Sequence, residues 1–161
     1  MTDIRMEPLH EASVWTGDQL QDDHSWEYPL DDTDRAELAA ALNGVKETRL
    51  EQITAENFPL LGLEGRLCEL SHDLGDGLGF ALVRGFPVDG YSYEDIERMY
   101  WGFCSHLGTG LTQNGDATFI HYVTDGKLRP SQGRRGVGFP RESKLHIDPT
   151  DIVSLLCVQQ A

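Results

Sequence analysis

The segment Leu145–Ala161, LHIDPTDIVSLLCVQQA, decides how the rest of the chain is read. Ile152, Val153, Leu155, Leu156, Cys157 and Val158 form a short apolar run, which predicts a strand over 152–158 buried within a sheet. Ahead of it stands His146-Ile147-Asp148. In extended backbone, residues two apart project to the same face, so an imidazole and a carboxylate can grip one ion together. A neutral nitrogen paired with a hard oxygen suits Fe(II). Spacing alone is weak support: 6 His and 27 acidic residues in 161 yield about one His-x-Asp/Glu by chance, which is what the chain holds. A structural hydrogen bond between His146 and Asp148 therefore stands beside the metal reading. After the apolar run come only Gln159, Gln160 and Ala161. Earlier strands, another polypeptide or a missing remainder of the domain must cover a strand of this kind.

Upstream, helices precede strands. The first thirty residues read as an irregular acidic arm anchored by Trp15, Trp26 and Tyr28. Asp31 to Asp34 offers N-caps for a helix with Leu38, Ala41, Leu42 and Val45 on one face. A second helix is marked by Leu60, Leu63, Leu67, Leu70 and Leu74 and is stopped at Gly75-Asp76-Gly77. Phe80 to Arg84 predicts a strand. Ser92, with Asp95 three residues on, opens a third helix that buries Ile96, Met99, Tyr100, Phe103 and Leu107. A further strand is expected at Thr118 to Thr124. No βαβ rhythm is visible, so the reading is a single α+β domain over 1–161 with a mainly antiparallel sheet. The arm occupies 1–30, and the helices and first strands occupy 31–161.

Composition bounds the function. A chain of 161 residues with 39% hydrophobic and 25% charged residues is globular rather than disordered or fibrous. The net charge is −14, which disfavours nucleic acid and anionic membranes as partners. No apolar run approaches a membrane span. Cys68, Cys104 and Cys157 have the spacing of neither a disulfide framework nor a zinc site and read as buried packing, which suits a reducing, cytoplasmic setting. Charge is uneven. Met1 to Glu37 holds 11 acidic residues against Arg5 and Arg35, whereas Gly126 to Lys144 holds six basic residues against Glu142. Both stretches read as solvated surface, and the Gly- and Pro-bearing basic one also suits a small anion. GDGLG (75–79) follows a helix and precedes a strand, the wrong order for a dinucleotide fingerprint, and reads as a turn. His72 and His106 read as capping or packing residues, His121 as an ordinary strand residue.

Taken together, GFALVRGFPV, YWGFCSHLGTGLTQN, FIHYVTD and LHIDPTDIVSLLCVQQA resemble the taurine catabolism dioxygenase (TauD/TfdA-like, clavaminate-synthase-like) family over Asp73 to Ala161. These are Fe(II)- and 2-oxoglutarate-dependent oxygenases. The resemblance implies an incomplete double-stranded β-helix, or jelly roll, with N-terminal helices packed outside. It makes His146 and Asp148 iron ligands and, as a looser match, places Gln113 and Asn114 near a small-molecule substrate. Family members complete the metal triad with a distal His, followed by an Arg that pairs with the far carboxylate of 2-oxoglutarate. This sequence holds neither after Asp148. The resemblance thus covers the N-terminal half of such an enzyme, and three explanations stay open: a second chain supplies the missing groups, the reading frame is truncated, or His121 substitutes for the distal His while Arg134 or Arg135 in the basic loop meets the 2-oxoglutarate carboxylate. The other reading is a non-catalytic remnant or interaction module that pairs, or self-associates, through an open sheet edge.

Overall fold

The computed structural model describes residues 6–8, 10–112, 118–123, 148 and 150–159. The chain divides into two units, Met1–Gly108 and Thr109–Ala161. All regular elements among the described residues lie in the first: α1 (Gly17–Leu20), β1 (Glu27–Pro29), α2 (Asp32–Val45), a 3-10 turn (Leu50–Gln52), α3 (Glu64–Gly75), β2 (Leu82–Arg84) and α4 (Tyr93–Cys104).

Helix α2 starts where its cap dictates. The Asp31 carboxylate accepts from the Thr33 and Asp34 N–H groups, and Asp34 accepts in return from the Asp31 N–H. That capping box occupies three otherwise orphaned donors. Leu38, Ala41, Leu42 and Val45 then face inward, each buried. Helix α3 begins later than the leucine spacing predicts. Leu60 and Leu63 are buried, but in the turn ahead of the helix. No side chain within that turn caps α3; instead Glu37 of α2 accepts from the Gly62 N–H at 2.7 Å. The helix stops at Gly75 as expected. Gly79 adopts a left-handed φ of 79°, and a Cβ at Gly77 would lie 2.8 Å from the Asp73 backbone, so the GDGLG stretch is a tight turn. Helix α4 opens at Ser92, whose hydroxyl accepts from the Asp95 N–H at 3.2 Å, and it buries Ile96, Met99 and Phe103.

The sheet differs from the expected antiparallel arrangement. β1 and β2 pair in parallel, with Glu27 opposite Leu82, Tyr28 opposite Val83 and Pro29 opposite Arg84. A parallel pair needs a crossover, and α2 and α3 supply it. One strand comes from the segment read as an irregular arm. Three residues ending in Pro carry too little period-2 signal to be seen in sequence, and Pro29 is tolerated because a two-stranded sheet consists of edges. Its carbonyl accepts from Arg66 of α3 instead. Arg66 also pairs with Asp34, a buried charged residue, so one guanidinium ties α3 to both β1 and the start of α2.

The arm packs through its aromatic residues. Trp15 and Trp26 flank Phe80 with ring centroids 5.0 and 5.6 Å away, and the Trp15 indole donates to the Leu78 carbonyl at 2.9 Å. The core below is built from α2, α3, α4 and the loop that carries Phe58 and Leu60. In the second unit, the described residues 118–123 and 150–159 lie in neither helix nor strand. The described parts of the strands expected at 118–124 and 152–158 thus carry no strand pairing.

Candidate functional site

The ligand pair read from the sequence is only half described. Asp148 is exposed on the second unit; His146 lies outside the described residues, as do Gln113, Asn114, Arg134, Arg135 and the whole basic stretch 126–144. The donor chemistry of the pair, one imidazole nitrogen and one carboxylate, suits Fe(II). Among the described residues, no group of three or more His, Cys, Asp or Glu side chains is placed to hold a metal ion. His121 is exposed, outside any strand, with its Nε2 3.4 Å from the Thr118 hydroxyl.

His106 and His72 have structural partners. His106, just past α4, donates from Nε2 to the Phe58 carbonyl at 2.9 Å, which fixes the core loop to the helix. His72 lies on the exposed face of α3, 3.4 Å from Asp76. The cysteines depart from expectation: Cys68 and Cys157 are exposed, and only Cys104 is half-buried. Cys68 sits next to Leu67 but on the outer face of α3, because neighbouring helical residues point about 100° apart. Cys157 belongs to an apolar run that nothing described covers.

The structure adds a concavity that the sequence does not signal. It measures about 520 Å³, opens between β1 and α3, and is lined by Ser25, Glu27, Tyr28, Arg66, Glu69 and Asp73 among others. Its polar groups serve one another. The Tyr28 hydroxyl donates to Asp73 at 2.5 Å. Burial first, and the Asp73 carboxylate second, push the Tyr28 hydroxyl up to about 12. The Arg84 guanidinium, with His24 adding to it, holds the Glu27 carboxyl below its usual range. These contacts join α3, β1 and β2 and make the concavity a structural seam. No sequence signal exposes such pairs, because Tyr28 and Asp73 are 45 residues apart.

No protein-family model matches the chain. Two curated proteins are similar to it. The FR-33289 synthase of Streptomyces rubellomurinus is 30% identical over 166 aligned residues, covering 100% of this chain and 49% of the synthase. The taurine hydroxylase-like protein SAT17 of Stachybotrys chartarum is 27% identical over 164 residues, covering 95% of this chain and 42% of that protein. Among the described residues, no helix is long and apolar enough to cross a membrane. The chain therefore spans about half the length of the curated relatives it matches, one a synthase and the other hydroxylase-like.

Proposed function

We propose that this chain is the iron-ligand-bearing half of an Fe(II)/2-oxoglutarate-dependent oxygenase of the TauD/TfdA-like kind, acting on a small molecule. One observation carries the reading: His146-Ile147-Asp148, heading an apolar segment, falls within a match that spans all of this chain and 49% of one synthase, and a taurine hydroxylase-like protein matches nearly as much of the chain. With iron and 2-oxoglutarate bound, dioxygen would be the oxidant and 2-oxoglutarate would supply two of the electrons for attack on an unactivated carbon. The chain's own residues hold and orient. His146 and Asp148 furnish two metal donors, Arg134 or Arg135 meets the co-substrate carboxylate, and Gln113 and Asn114 face the prime substrate. Within these 161 residues no His or Arg follows Asp148, so this polypeptide by itself supplies two metal donors and is expected to turn over little.

Metal affinity tests the reading directly. Titration of the purified chain with Mn(II), followed by loss of the free-ion electron paramagnetic resonance signal, is expected to show one site. His146→Ala and Asp148→Ala should each weaken it at least tenfold. Equal affinity in all three proteins would overturn the reading. Succinate formation from 2-oxoglutarate should stay at the level of His146→Ala; succinate above that level would show that the chain completes the site on its own.

A further inference from the structure

We infer that residues 10–29 form a strap that lifts from the first unit as one piece, by a local opening separate from global unfolding. The inference stands apart from the oxygenase reading. None of residues 10–29 is buried, and the core starts at Leu30. Every hydrogen bond, ion pair and ring contact that these residues make outside their own stretch falls on Arg66, Asp73 or 78–84. Trp15 and Trp26 close on Phe80, and none of the three rings is part of the core that runs from Leu30 to Phe103. They make a satellite cluster. The strap's other aromatic residue, Tyr28, packs against the core from outside. Backbone pairing is thin as well. β1 meets β2 over three residues, flanked by the Leu82 N–H on the Trp26 carbonyl and the Leu30 N–H on the Arg84 carbonyl, both at 2.8 Å. An isolated pair of strands is marginally stable in water. Charge favours release: the strap holds Glu11, Asp18, Asp22, Asp23 and Glu27 without Lys or Arg, and Glu69 and Asp73 line the seam across from it. Segments with few buried apolar contacts open locally, ahead of the core. The core does not depend on the strap, since α2 keeps its own cap at Asp31 and packs on α4. Ser25, Glu27, Tyr28 and Pro29 form one wall of the concavity against α3, so lifting the strap opens that seam and bares Phe80 and β2.

Native-state hydrogen exchange on the whole 161-residue chain tests the strap, with the Leu30 and Leu82 amides and the Trp15 indole N–H as reporters. All three should share one opening equilibrium, roughly a hundredfold or more above that of the amides of 38–45. Phe80→Ala removes both ring contacts and should speed all three reporters together, about tenfold or more, leaving 38–45 within about twofold. Glu27→Gln weakens the carboxylate that Arg84 and His24 share, and it should speed the same three reporters by about threefold. It keeps the test available if Phe80→Ala fails to fold. Leu61→Ala, at a side chain 79% exposed and off the strap, should change none of them. Three results would overturn the inference. Reporters as slow as 38–45 would mean that the strap opens only with the whole unit. Reporters that respond separately to the two variants would mean piecemeal fraying. Equal acceleration of 38–45 by either variant would make residues 10–29 part of the core's own cooperative unit. None of these readouts involves metal or succinate, so failure of the oxygenase reading and failure of the strap are told apart.

Discussion

Gly102 and Phe58 show how closely single residues are fitted in the first unit. Phe58 is fully buried, and a Cβ on Gly102 would lie 2.5 Å from its ring. Around that contact, His106 and Trp101 of the same helical segment hold the Phe58 and Ile53 carbonyls. Glycine inside a helix ordinarily costs roughly 1 kcal/mol against alanine, yet here the missing side chain is what lets α4 approach the loop. Gly102→Ala is therefore expected to destabilise by about 1–3 kcal/mol despite its better helix propensity, read from the urea midpoint. Tyr28 makes a second residue-scale case. With its hydroxyl raised above the ordinary tyrosine value of about 10 to about 12, the folded state holds this proton more tightly than the unfolded state. Its contribution is complete below the unfolded value and is lost as pH climbs from there through the folded value. Denaturation midpoints across that alkaline window should fall less steeply for Tyr28→Phe than for the wild type. An equal slope would mean that the Asp73 contact is not maintained in solution.

Elements whose start and period are encoded locally were legible. Asp31 and Ser92 name the beginnings of α2 and α4, and the 3.6-residue spacing of Leu38, Ala41, Leu42 and Val45 names the buried face. Removing the Asp31 cap strips the acceptor from two amides, so Asp31→Ala should cost about 1 kcal/mol in thermal or urea unfolding, with α2 losing protection first in hydrogen exchange. Where the determinant is another element, sequence reading went astray. The amide ahead of α3 is met by Glu37 from α2, so the helix begins at Glu64 rather than at Leu60. β1 was invisible because three residues acquire strand identity only through pairing with Leu82–Arg84. The exposed Cys68 follows from one position's turn around the helix axis, which a tally of apolar neighbours does not resolve.

Across the whole molecule, apolar burial is divided unequally. Among the described residues the core belongs to the first unit, and no apolar residue of the second is buried. Two substitutions make the division measurable. Leu38→Ala, at a fully buried position, should cost about 2–5 kcal/mol. Leu155→Glu should leave the unfolding midpoint within about 0.5 kcal/mol of wild type while lowering the binding of an apolar dye. On the candidate site, sequence went further than structure, since His146-Ile147-Asp148 is a local pattern and ligand chemistry follows from residue type. By itself the sequence determined the caps of α2 and α4, the buried helix faces and the turn at 75–79, because each depends on residues within a few positions of one another. Only tertiary structure decided the parallel pairing of β1 with β2, the Arg66 and Tyr28 ties between elements, the Gly102–Phe58 approach and the exposure of 152–155. These depend on what a residue meets across tens of positions in the chain, and hydrophobicity specifies that a side chain seeks cover without specifying which surface provides it.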